Sequence, residues 1–213
     1  MSSCCDPGGY DDVFGERFAR RSARRYRRRG LSPLASRLVS FIEARGLSGA
    51  TVLEVGGGSG DVQVELLKRG AAHATNLELS RSYDDEARAL IEESGLTDRV
   101  TRLVLDIATH PDEVEMADVV VLNRVVCCYP DYERLLGAAG SRAGRLLVFS
   151  HPADNPFMRL GLRIENLTRW LRRDSFRAFV HPPARMLDVL ADAGLRPTYR
   201  WQGPGWVVVG LER

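Results

Sequence analysis

Gly56, Gly57, Gly58 and Gly60, with Ser59 among them, follow directly on the run Thr51-Val-Leu-Glu-Val. That run is short, apolar and β-branched apart from Glu54, and reads as a buried parallel strand. Val62, Val64 and Leu67 start a helical pattern at once. Glycine belongs at such a junction because the backbone turns sharply and a ligand can approach without Cβ atoms in the way. The helix N-terminus beyond it adds unpaired N–H groups and a positive dipole end. The stretch therefore reads as a loop that binds a polar ligand, and its spacing excludes two common ones. Asp61 stands where a dinucleotide fingerprint wants its third glycine, and no Gly-Lys-Ser/Thr follows Gly60 as a phosphate-binding loop requires. Glu54, two residues before the first glycine, faces the ligand and suits a cationic partner better than a pyrophosphate.

Further polar residues fall at expected strand ends. Glu78, with Leu79 beside it, lies 18 residues past Gly60. An acid at about that spacing, closing a second strand, accepts hydrogen bonds from both hydroxyls of a ribose. Asp106 and Ile107 close a third strand over 99–107. Asn123, Arg124, Cys127, Cys128 and Tyr129 end the most apolar strand, 117–126, on the edge where open α/β sheets place ligands. His151 follows a fifth strand, 144–150, and is a candidate general base, since an imidazole with a pKa of about 6.5 moves protons readily near neutrality. The plainer reading is a histidine that bonds locally at the strand end. His181, before Pro182-Pro183, is a second such candidate.

Placing these residues together takes a particular order of elements. Ser32-Pro33 caps a helix with Leu34, Leu38, Phe41 and Ile42 on one face and Gly46 at its end. A helix over 61–69 follows the glycine loop. Another, capped by Ser80 or Ser82, buries Ala87, Leu90 and Ile91 and stops at Gly95. Pro130-Asp131 opens a helix with Leu135, Leu136 and Ala139 inside, 182–193 gives one more, and the chain closes on two strands around Gly203-Pro204-Gly205. Strand–helix units repeated five times and then a hairpin predict an α/β fold. It is a doubly wound, seven-stranded, mostly parallel sheet with an antiparallel C-terminal hairpin.

Two segments stand apart from that frame. In residues 1–30, an arginine-rich arm, Arg17, Arg20, Arg21, Arg24, Arg25, Arg27, Arg28 and Arg29 share the chain with Phe14, Phe18 and Tyr26. A solvated basic helix, a lid closing on a cofactor and an anionic substrate, and a nucleic-acid grip are three readings that the sequence leaves open. In residues 155–173, an inserted helix within the 31–213 domain, Phe157, Leu160, Ile164, Leu167 and Leu171 recur at steps of three and four. Ordinary core packing is the leading expectation. A homodimer face and a membrane-surface helix with basic flanks and Trp170 are the alternatives.

The 213 residues, 44% of them hydrophobic, suffice for one full α/β core. Net charge is only +2, and 29 of the 30 basic residues are arginine, a bias that points to base composition rather than to a partner. Apolar runs are too short and too often broken by charge to span a membrane, and no secretory pattern opens the chain, so a cytoplasmic protein is expected. The cysteines form two vicinal pairs, Cys4-Cys5 and Cys127-Cys128. Adjacent cysteines make awkward ligands for one tetrahedral ion, so no metal site is expected and free thiols are.

The pattern Glu54-x-Gly56-x-Gly58-x-Gly60 resembles motif I of the class I S-adenosylmethionine-dependent methyltransferases. Over 31–213 the resemblance implies that family's seven-stranded fold and its cofactor. By position Glu54 and the loop of Gly56, Gly57, Gly58, Ser59 and Gly60 match the residues that hold the methionine part, and Glu78 with Leu79 the ribose site. Asp106 and Ile107 match the adenine site, and Asn123 and Arg124 the border of the methyl group. Tyr129 would then wall the acceptor pocket, with His151 as base. Family members that methylate exocyclic amines carry Asn/Asp-Pro-Pro-aromatic where this chain has Asn123-Arg-Val-Val, and the Pro-Cys pair of pyrimidine carbon-5 methylation is missing too. Both absences favour a small-molecule acceptor at O, N or S. The motif-I run together with Asn-Arg-Val-Val-Cys-Cys-Tyr-Pro-Asp is similar to small bacterial magnesium-protoporphyrin O-methyltransferase-like proteins, though no porphyrin substrate is inferred. An RNA methyltransferase using the basic arm and a non-catalytic cofactor-binding regulator are the alternative functions.

Overall fold

Val119, Val120, Val121 and Leu122 are all fully buried, the odd pair facing one core and the even pair the other. A strand apolar on both faces needs a helical layer on each side. The computed structural model, which describes residues 10–213, has that layering; Cys4 and Cys5 lie outside the described residues. In chain order the elements are α1 (Tyr10–Val13), α2 (Glu16–Arg29), α3 (Pro33–Glu43), β1 (Thr51–Val55), α4 (Asp61–Lys68), β2 (His73–Leu77), α5 (Asp84–Glu93), β3 (Val100–Leu103) and β4 (Ala117–Leu122). Then come α6 (Tyr132–Arg142), β5 (Ala143–Pro152), α7 (Pro156–Leu171), α8 (Pro183–Asp192), β6 (Arg196–Gln202) and β7 (Trp206–Glu212).

The strands form one sheet in the order β3-β2-β1-β4-β5-β7-β6, parallel from β3 to β5, with β7 inserted antiparallel between β5 and β6. This is the doubly wound, seven-stranded sheet expected. Val52, Val119, Val148 and Val208 meet α3, α4 and α5 on one face; Leu53, Leu122, Phe149 and Val209 meet α6 and α8 on the other. Each such side chain contributes roughly 1.5–3 kcal/mol by leaving water. Caps set the helix starts: Ser32 Oγ accepts from Ala35 N and Asp131 Oδ1 from Arg134 N.

Several strand ends differ from expectation, each for a visible reason. β3, an edge strand paired only to β2, stops at Leu103 rather than 107, and Asp106 Oδ1 then accepts from Ala108 N and turns the chain. β4 stops at Leu122 rather than 126, because Arg124 adopts φ 63° and the chain continues into a 3₁₀ turn over Val126–Cys128. β5 runs on to Pro152, since its last residues pair with β7. The expectation of a helix after every strand fails once: between β3 and β4 there is only a 3₁₀ turn, Pro111–Glu113. The larger correction concerns α7. Core packing was the leading expectation for it, yet none of its residues is buried.

Candidate cofactor-binding site

β1, β2 and β4 end side by side, and the loops beyond them enclose a cavity of about 220 Å³. The glycine loop is its floor. Gly56, Gly58 and Gly60 have φ of 63°, 54° and 80°, a region side chains rarely tolerate. Gly57 needs its bare Cα for another reason: a Cβ there would come within 2.2 Å of Asn76 Nδ2 and 2.9 Å of Glu54 Cδ, both fully or almost fully buried beneath it. The loop is thus pressed against its own support, and only glycine fits.

Glu78, one residue beyond β2, ties that loop to the neighbouring strand end. Its Oε2 accepts from Gly58 N at 2.8 Å, and its Oε1 from Leu79 N at 2.8 Å and Ser80 N at 3.0 Å. Two carboxylate oxygens offer about four acceptor sites, so capacity remains for donors arriving from the cavity that Glu78 lines. Burial pushes its carboxyl up, while the three N–H donors oppose the rise. Arg102, on β3, braces the loop from below, its guanidinium donating to Gly58 O, Asn76 Oδ1 and Asp84 Oδ1.

Glu54 is 2% exposed, and its Oε2 accepts from Gln63 N at the start of α4. Burial raises its carboxyl well above the ordinary range, and Asp61 beside it adds to the rise. Burial also raises Asp61. One buried and one half-buried carboxyl thus meet at the N-terminus of α4, with Arg25 and Arg124 near Asp61 on the cavity side, a mixed-charge corner unlike a pyrophosphate site. On the far wall Asp106 Oδ2 accepts from the Tyr129 hydroxyl at 2.8 Å, and Ile107 lies beside it, 1% exposed. Asn123 Oδ1 accepts from Ser150 Oγ, which in turn accepts from Arg124 N; this pair of bonds holds Arg124 in its left-handed conformation. The Arg124 guanidinium lies 5.0 Å from the centroid of Trp206, and burial together with nearby Arg25 lowers its pKa.

The cavity therefore gathers Glu54, Gly56, Gly57, Gly58, Ser59, Glu78, Leu79, Asp106, Ile107, Asn123, Arg124 and Tyr129. Gly60 caps α4 directly behind the loop. His151 is not among the lining residues. It is 4% exposed, its Nδ1 lies 2.8 Å from Pro152 O, and its ring stacks on Phe149; burial lowers its pKa. His181 likewise sits away from the cavity, with Nε2 3.0 Å from Tyr129 O.

Further lining residues come from the N-terminal arm, for which a lid is one of three readings that the sequence leaves open. Tyr10 comes from α1, Phe14 from the bend after it, and Phe18, Ser22 and Arg25 from α2, which lies across the cavity. The arm is fixed there by Ala19, Ala23 and Tyr26, all buried, and by the Tyr26 hydroxyl on Glu65 at 2.6 Å. Phe14 meets Phe176 edge-on at 5.5 Å, and Phe18 meets Tyr83 at 6.5 Å. The alanines at steps of four opposite the arginines were the available sign that one face of this helix is covered. For Tyr83, packed on Gly58 and lining the cavity, no signal was present.

Comparison with known proteins places this geometry. Residues 23–198 match the model of a methyltransferase domain family. Ribosomal protein L11 methyltransferase of Escherichia coli is 33% identical over 94 residues, covering 44% of this chain and 31% of that protein, and the Aeromonas hydrophila protein of that name is 31% identical over 121 residues, covering 57% and 40%. The chain thus spans well under half the length of these curated relatives. Among solved structures, magnesium protoporphyrin IX methyltransferase from Synechocystis with bound SAH has a TM-score of 0.70 at 20% identity, covering 84% of this chain and 81% of that one. An O-methyltransferase family protein from Burkholderia thailandensis has a TM-score of 0.68 at 20% identity, covering 94% and 63%. At these identities the structures attest the fold, and the family model, matched over most of the chain, attests the kinship. The chain belongs to the methyltransferase domain family, whose methyl donor is S-adenosylmethionine.

Proposed function

We propose that the protein transfers the methyl group of S-adenosylmethionine to an O, N or S atom of a small-molecule acceptor. The observation that carries this reading is the row of acids at adjacent strand ends, Glu54, Glu78 and Asp106, facing one cavity across a loop that only glycine can form. The donor set fits the group. Glu54, Asp61 and the glycine loop would hold the ammonium end, and Arg25 and Arg124 the carboxylate. Glu78 would take the ribose hydroxyls, and Asp106 the adenine amine with Ile107 against the ring. The sulfonium supplies an already activated methyl. What remains for the chain is to hold donor and acceptor in line and to exclude water. Phe14, Phe18 and Tyr10 would do the latter, with the arm acting as a lid, and Tyr129 and Cys128 would wall the acceptor side. His151, enclosed in the sheet away from the lining, is left without a proton-transfer role, and catalysis rests on positioning.

A second reading has one observation of its own. Arg17, Arg20, Arg21, Arg24, Arg28 and Arg29 line an outward groove on α2 with Arg25, a surface suited to RNA phosphates. It would show as RNA binding that weakens steeply with salt.

Calorimetry with S-adenosylmethionine and S-adenosylhomocysteine, on the intact chain and on Glu78→Ala, tests the donor assignment. Micromolar binding lost in the variant is expected. Absence of binding to the intact chain would remove the proposal, and binding without turnover over an acceptor screen would favour a non-catalytic regulator.

A further inference from the structure

Six large apolar side chains of α7 stand in solvent. Phe157 is 87% exposed, Leu171 67% and Trp170 63%, and Leu160, Ile164 and Leu167 are each more than half exposed. The opposite face of the helix holds it to the body. Met158, Leu162 and Asn166 are half-buried there. Asn166 clamps the backbone of Ala178 with both amide atoms, donating at 2.8 Å and accepting at 2.9 Å. Arg169 on the same side lies over Phe176 and pairs with Glu165 and Asp174. The apolar row therefore points outward because the other face is anchored.

At about 100° per residue, Leu167, Leu160, Leu171, Ile164 and Phe157 fall within an arc of about 80°. Arg163 and Trp170 border it on one side and Arg172 on the other. Residues 154–177 contain six arginines and three acids. The acids are used internally, Asp154 by Arg159 and both Glu165 and Asp174 by Arg169. Among the described residues Arg163, Arg172 and Arg173 have no ion pair. A narrow apolar stripe with unpaired cations on both margins and a tryptophan at one of them is thus held out to solvent.

We propose that this face docks on an anionic lipid surface, with α7 lying in the plane of the headgroups. Charge complementarity selects that occupant. A second copy of the chain, paired through the same stripe about a two-fold axis, would bring a second set of cationic margins against the first and no free acid to meet them. A lipid surface supplies a hydrocarbon layer for Leu160, Ile164 and Leu167 together with phosphates for Arg163 and Arg172. The helix is about 24 Å long, short of the roughly 30 Å of a bilayer core, and no described helix is long and apolar enough to cross a membrane, so it lies on the surface and does not span it.

The test is co-sedimentation of the full chain with vesicles of phosphatidylcholine alone and with a large fraction of phosphatidylglycerol, beside the triple variant Leu160→Ser, Ile164→Ser, Leu167→Ser. Binding to the anionic vesicles, weaker on the neutral ones, is expected, with partitioning at least ~10-fold lower in the variant and an unchanged thermal midpoint. Should that variant misfold, Arg163→Glu with Arg172→Glu keeps the apolar stripe and must also weaken binding. No binding of the intact chain to anionic vesicles overturns the proposal. So does equal binding by the variants, which would shift the contact to the arginines of α2. A dimer in sedimentation equilibrium without vesicle binding overturns it too, and assigns the face to a second copy.

Discussion

The glycine-loop cavity and the outer face of α7 invert one another. At the cavity, polar groups are inside: Glu54, Asn76 and Gln63 are almost fully buried, and Glu78 holds three backbone N–H groups. At α7, apolar groups are outside, and the arginines at the stripe's margins have no ion pair among the described residues. Backbone N–H groups fix the Glu54 and Glu78 carboxyl groups, whereas both Gln63 amide atoms and Asn76 Nδ2 are buried without a hydrogen-bond partner among the described residues. The cavity floor thus carries a polar cost that only its tight packing holds in place. An exposed apolar stripe is fixed by nothing in the fold, and its reason must lie in a partner. The first region should be fragile to small changes and the second indifferent to them, as far as stability goes.

The strongest way to break that contrast is Gly57→Ala. One methyl group there meets Asn76 and Glu54, neither of which can move into solvent. A loss of about 3 kcal/mol in a denaturant titration is expected, together with loss of measurable donor binding. Glu78→Ala comes next. It removes two charge-assisted acceptors and leaves Gly58 N–H without its partner, which argues for a drop of roughly 100-fold or more in donor affinity by calorimetry. Unchanged affinity in that variant would take Glu78 out of the ribose role.

Glu54→Gln should split the two properties. Burial holds the folded-state pKa of Glu54 above its unfolded value. The folded protein therefore keeps the proton more tightly, and this contribution to stability is full below the unfolded pKa and falls as pH rises through the folded one. The amide carries no such dependence and can still accept from Gln63 N. The variant should gain thermal midpoint relative to the parent as pH is raised from about 5 to 8, by an amount that shrinks toward acid, and yet bind the cationic donor more weakly. Asp61 and Glu78 shift in the same direction, so part of the slope should survive. A parent whose midpoint rises across that window would contradict the buried-acid account.

What was legible in the sequence follows the same division. The glycine spacing and the positions of Glu54, Glu78 and Asp106 were readable because local backbone rules and strand-end positions dictate them, and the sheet was readable because the apolar run 117–126 marks a central parallel strand. The ends of β3 and β4 were not, since an edge strand and the φ of Arg124 depend on tertiary partners, Ser150 above all. The arm's place stayed open among three readings because its arginines suit all of them, and His151 was drawn toward the site by its position at a strand end, although β7 pairing encloses it. α7 shows the limit of periodicity. The three-and-four spacing located a helix and its stripe correctly, but spacing reports only that a face is apolar, not which surface it faces.

The smallest expected effect sharpens the comparison most. Ile164→Ser removes a β-branched apolar residue from the middle of a helical stripe, a change that in a core would cost several kcal/mol. Here the side chain is 55% exposed, so the same change should shift stability by no more than about 0.5 kcal/mol and leave donor binding untouched. Thermal denaturation and calorimetry together read both. A loss of about 2 kcal/mol or more would mean that α7 packs against the body in solution, that its stripe is core after all, and that the surface proposed for lipid is not free. An unshifted midpoint leaves the stripe with no role in the fold, and the arginines on its margins as the only guide to what it meets.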